Sequence, residues 1–185
     1  MKKTLNKLFI DNDIQIDEDV FDYGYKILKT YLMFIIITLP LAVIFDVVVE
    51  SILFVIFYTP LKKYIGGFHF NSPKLCSIFS IITTLLMALF IKYYRFDNFT
   101  IILFIMISLI IVSFFVGTAD HPNKRLSQHE KKTFTKYALI VESLYLLFLL
   151  INQVTKFEIF TNVILFSMAF SVGGVLLANL MDKYF

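Results

Sequence analysis

Five apolar runs, Tyr31 to Tyr58, Leu75 to Ile91, Phe99 to Val116, Tyr137 to Ile151 and Ile159 to Leu180, follow one another along this chain with only short polar connections between them. A hydrocarbon core about 30 Å thick is crossed by roughly 20 apolar helical residues, so the last four runs each suit one crossing, the shorter ones helped by flanking aromatics. A chain of 185 residues with mean hydropathy +0.79 and 58% hydrophobic residues cannot cover that much apolar surface with one soluble core. The expectation is an all-α polytopic bundle of about six membrane segments forming one integral membrane domain over residues 1–185.

The first run differs from the others. It is too long for one crossing and contains Pro40, Asp46 and Glu50, a proline and two carboxylates that would be costly facing lipid. It reads as two short helices, or as a crossing plus a re-entrant piece. Before it, Met1-Lys2-Lys3-Thr4-Leu5-Asn6-Lys7 leads into an acidic run through Asp22, which predicts a retained, interfacial segment over 1–30 and no cleavable signal peptide.

Charge sets the orientation. The loop at 117–136 holds Lys124, Arg125, Lys131, Lys132 and Lys136 against Asp120 and Glu130, and the positive-inside bias makes it cytoplasmic. Counting crossings outward, residues 62–74 and the C-terminal end are then also cytoplasmic. A formal net charge of +3 is too small to argue for nucleic acid, and the basic residues sit where topology would put them. Lys124, Arg125, Lys131 and Lys132 are candidates to hold an acidic substrate segment, with contact to anionic membrane lipid as the competing reading.

The segment 62–76 carries the chemistry. Its only cysteine, Cys76, cannot form an intrachain disulfide or a multi-thiolate metal site, which leaves packing or reaction. Ser72-Pro73 is a helix-start signal: serine can cap free N–H groups and proline suits the first helical position. Cys76 then falls in the first turn, where the helix dipole and Lys74 favour its thiolate. In continuous helix His69 and Cys76 would stand roughly 10 Å apart along the axis, too far for proton transfer. Pro73 breaks the helix and Gly66-Gly67 lets the chain fold back, so the imidazole can approach the sulfur. Cys76 alone would read as a small apolar filler and His69 alone as a solvated side chain. Together they read as nucleophile and base. A third, orienting group stays unassigned among Asn71, Asp120 and His121. The N–H of Cys76 or of Gly67 could donate to an oxyanion, while the glycines could equally only make a turn. His121 and His129 lack the company a metal site needs, so neither a metal nor any other cofactor is expected.

These residues resemble the accessory gene regulator B family, membrane cysteine endopeptidases that process quorum-sensing peptide precursors. The family pattern is a basic residue, Gly-Gly, any residue, His, then Cys seven positions on; Lys62 or Lys63, Gly66, Gly67, His69 and Cys76 match it. Phe70 replaces the common alanine and a lysine the usual arginine. The stretch Ala119-Asp120-His121-Pro122-Asn123-Lys124-Arg125-Leu126-Ser127, followed by Glu130-Lys131-Lys132, is similar to the family's cytoplasmic loop. The resemblance implies that Cys76 cleaves off the C-terminal tail of a short amphipathic precursor, an AgrD-like peptide, and holds the remainder as a thioester. An internal Cys or Ser of that peptide then closes a thiolactone or lactone. Other readings are a non-enzymatic membrane peptide exporter or signalling subunit, and an acyltransferase using the same thioester chemistry.

Several apolar-run features stay open. Asp46 and Glu50, a helical turn apart, could line a polar cavity or touch water at a re-entrant tip, and Glu142 reads similarly. Gly173-Gly174 could admit a helix of a second copy, giving a homodimer, or serve packing within one chain.

Overall fold

The first apolar run breaks at Phe45–Val47, three residues whose N–H groups turn back to Leu41, Val43 and Ala42 carbonyls. The break falls after Pro40, which stays inside the first helix. Asp46 adopts φ 55, a left-handed conformation that a short polar side chain accepts more readily than most. A computed structural model describes residues 2, 9, 12, 17–67, 72–94, 96, 98–120, 126–155 and 158–184. His69, Asn71, His121, Lys124 and Arg125 lie outside the described residues.

The described residues form long helices and no strand: α1 Glu18–Ile44, α2 Val48–Ile65, α3 Pro73–Tyr93, α4 Phe99–Val116, α5 Gln128–Thr155 and α6 Glu158–Tyr184. All but α2 are long and apolar enough to cross a membrane. The chain is a multi-pass membrane protein. Two sequence expectations change in detail. Asp46 and Glu50 do not share a helix turn, because Asp46 is in the break and Glu50 in the first turn of α2. Lys131, Lys132 and Lys136 stand on α5 rather than in an irregular loop, since a reciprocal cap starts that helix at Gln128. The Ser127 hydroxyl accepts the Glu130 N–H at 3.3 Å, and the Glu130 carboxylate accepts the Ser127 N–H at 2.8 Å.

Half of α6's most apolar window is buried against 11% of α1's, so α6 lies at the centre of the bundle and α1 at its edge. Leu61, Met106, Leu149, Ile164 and Met168 close the core between α2, α4, α5 and α6. Large side chains facing outward, such as Ile36, Phe104, Phe115 and Leu177, are what a lipid-facing surface requires. Within the core, Glu142 is fully buried and accepts the Ser113 hydroxyl at 2.6 Å, which ties α5 to α4.

Polar contacts mark the two ends. At one, Lys92 at the end of α3 pairs with the Asp46 carboxylate at 2.6 Å, and Asn162 of α6 donates to the Tyr94 carbonyl at 3.0 Å. At the other, the Ala119 N–H donates to the Ile65 carbonyl at 3.0 Å and the Thr118 hydroxyl to the Tyr64 carbonyl at 3.1 Å. These bonds fix the end of α2 against the end of α4. The Gly66-Gly67 linker is thereby held at the same end as Cys76.

Candidate active site

Pro73 occupies the first turn of α3, and Cys76 follows within that turn, half-buried. Ser72 stands at the N-cap in extended backbone, but its side chain makes no cap hydrogen bond. Its contribution is the carbonyl, which accepts the Cys76 N–H at 3.0 Å. That bond also engages the Cys76 N–H in the helix, so this group is not the oxyanion donor that the sequence allowed.

Of the two candidate basic residues, Lys62 faces the cysteine. It is half-buried and near enough to Cys76 for the two groups to interact electrostatically, while burial pushes its ammonium below the ordinary lysine value. Lys63 is exposed and lies over the Tyr64 ring, 5.5 Å from its centroid. Lys74 is exposed too. Tyr58, one turn before Lys62 on α2, also feels the charge of Cys76. Its ring stacks on Phe54 at 5.2 Å and tilts against Phe170 at 5.4 Å, which holds the phenol in place. Sequence reasoning missed Tyr58. The i, i+4 spacing to Lys62 was the available signal, but nothing in the chain says which face of α2 meets α3.

The glycines have a steric reason. Gly66 has φ 80, and a Cβ there would sit 2.8 Å from the Ala119 carbonyl oxygen. Gly67 has φ 127, and a Cβ there would meet the Lys62 ammonium at 2.9 Å and the Gly174 backbone at 3.7 Å. At Gly66 both the Ala119 carbonyl and the positive φ require glycine; at Gly67 the positive φ does, since the Lys62 ammonium can swing aside and the Gly174 contact is ordinary.

Asp120 binds Lys131 at 2.5 Å and accepts the Leu126 N–H at 3.0 Å, so its carboxylate organises the start of α5. Lys131, Lys132 and Lys136 line a cleft of about 920 Å³ with Thr118 and Asn179. Cys76 is not among its lining residues. The described residues contain no cluster of three or more His, Cys, Asp or Glu side chains able to hold a metal.

The family model described as accessory gene regulator B matches residues 1–175. The chain belongs to that family. Two relatives of this AgrB-family protein, both from Clostridium perfringens, are named as AgrB-like. AgrB-like protein 2 of strain 13 is 28% identical over 152 residues, covering 78% of this chain and 70% of the relative. The AgrB-like protein of strain SM101 is 27% identical with the same coverage. No solved structure matches the chain. Membership associates the AgrB-family chain with the agr quorum-sensing system and implies a peptide precursor as its substrate.

Proposed function

We propose that this protein is a membrane cysteine endopeptidase that removes the C-terminal tail of an autoinducer propeptide and passes the remainder to a cyclisation step. The observation that carries the reading is Cys76, half-buried in the first turn of α3, with Lys62 of α2 close enough to interact with it electrostatically. A cation there stabilises the negative charge on the attacking sulfur.

His69 accepts the Cys76 proton, and the thiolate attacks the carbonyl carbon of the scissile peptide bond. The C–N bond breaks, the leaving amine takes the proton from the imidazolium, and the acyl group remains on Cys76 as a thioester. A thiol or hydroxyl inside the bound peptide gives its proton to His69 and attacks the thioester. The ring closes and Cys76 is released. Water exclusion favours cyclisation over hydrolysis, and a site at one end of a lipid-embedded bundle supports it. The lysines on α2 and α5 at this same end support a cytoplasmic orientation.

The test is co-expression with the short peptide encoded beside the gene, comparing the intact chain with Cys76→Ala and His69→Ala at equal membrane levels. Mass spectrometry should find tail loss only with the intact chain, and a peptide joined to Cys76 when turnover is interrupted. Equal processing by the Cys76→Ala chain would refute the nucleophile assignment. A fatty acyl adduct on Cys76 would refute the peptidase in favour of an acyltransferase.

A further inference from the structure

The cleft between the Cys76-side ends of α4 and α5 combines cationic and apolar lining residues. Its rim holds Lys131, Lys132 and Lys136, and no carboxylate appears among the described residues lining it. Lys131 is already paired with Asp120, whereas Lys132 and Lys136 bring two further exposed positive charges to the same wall. On α5 the spacing 132, 136, 140 keeps these lysines and Ile140 on one stripe, so the wall turns from cationic to apolar within about 6 Å of rise per four residues. Across from it, Phe114 of α4 continues the apolar floor.

That floor opens sideways to the surface that faces lipid. Phe114 and Ile140 are 63% and 45% exposed, and neighbouring Phe115 and Leu144 are 79% and 57% exposed. A hydrophilic acidic peptide would satisfy the lysines but leave this floor against its polar chain. An anionic glycerophospholipid satisfies both, with phosphate at Lys132 and Lys136 and an acyl chain along Phe114 and Ile140. The volume of about 920 Å³ accommodates a head group and the first part of a chain.

We infer that this cleft is a binding site for an anionic phospholipid. The cleft is one hydrogen bond from the catalytic segment, because Thr118 lines it and its hydroxyl donates to the Tyr64 carbonyl, two residues before Gly66. The site does not depend on Cys76 being a nucleophile, and the test reads lipid binding rather than catalysis.

The full chain, purified in mild detergent, is offered equal amounts of phosphatidylglycerol and phosphatidylcholine with identical acyl chains, and bound lipid is read by native mass spectrometry. Two lysines near an anionic head group predict roughly 30-fold preference for phosphatidylglycerol. Lys132→Gln with Lys136→Gln should bring the two lipids to near parity, Lys132→Arg with Lys136→Arg should keep the preference, and Lys74→Gln should leave it unchanged. Equal binding by the intact chain, or full preference in the double glutamine variant, would overturn the site. Displacement of phosphatidylglycerol by a ten-residue acidic peptide at lower concentration than by phosphatidylglycerol itself would overturn it in favour of a peptide-tail site.

Discussion

Gly66→Ala should be among the most damaging single-methyl changes in the chain. The residue holds φ 80 and ψ −135, outside the small left-handed region that other residues visit. Forcing alanine into such backbone costs about 1–3 kcal/mol. The new Cβ would also lie 2.8 Å from the Ala119 carbonyl oxygen, a backbone atom that cannot swing aside like the end of a side chain. Relief requires Ala119 to move, which strains the 3.0 Å bond from its N–H to the Ile65 carbonyl. Losing that bond adds about 1 kcal/mol. Together these make about 2–4 kcal/mol against the linker conformation, or roughly 30- to 1,000-fold in its population. The assay is the initial rate of precursor tail removal at matched amounts of membrane-inserted protein, with thermal unfolding in detergent as a second readout. Gly24→Ala is the control, because a Cβ there meets nothing within 4 Å and the residue lies in the exposed start of α1. It should leave the rate unchanged and, as a helix substitution, stabilise slightly. A Gly66→Ala chain with unaltered rate and unfolding temperature would refute the steric argument.

Lys62→Gln should lower the tail-removal rate by roughly tenfold while Lys62→Arg largely preserves it, since a tenfold loss needs only about 1.4 kcal/mol of charge stabilisation at the sulfur; equal rates for both would remove Lys62 from the site. Ser113→Ala leaves the buried Glu142 carboxyl without its described partner and should cost about 1–3 kcal/mol in unfolding measurements, whereas adding Glu142→Leu should recover most of it. Lys92 hydrogen-bonds the Asp46 carboxyl and holds it below its ordinary value of 3.8. A depressed carboxyl stabilises the fold above its ordinary value and loses that effect as pH falls. The melting-temperature difference between the intact chain and Asp46→Asn should therefore be constant near neutrality and vanish on acidification, and a difference that persists at pH 2 would contradict the pairing.

Helix content, the apolar faces and the start of α3 at Pro73 were legible in the linear chain because they depend on local composition and backbone restriction. The Ser-x-x-Glu cap of α5 is equally local, set within a basic stretch whose charges mask it. Residues far apart in sequence were not legible in the same way. Whether Lys62 or Lys63 turns toward Cys76 depends on which face of α2 meets α3, and the two lysines are chemically alike. Tyr58 was hidden for the same reason, an aromatic among many in a chain where 17% of residues are aromatic.

Sequence by itself determined that this chain crosses a membrane several times, and it marked Cys76, at the head of a helix after a glycine pair, as a reactive candidate. Tertiary structure decided what surrounds that cysteine. The linker passes the Ala119 backbone so closely, and takes positive φ at both positions, that only glycine fits, and the packing of α2 turns Lys62 toward the cysteine. Local propensity acts over a few residues, whereas the field felt by one sulfur is the sum of groups brought to it by helices whose contacts are set by the whole bundle.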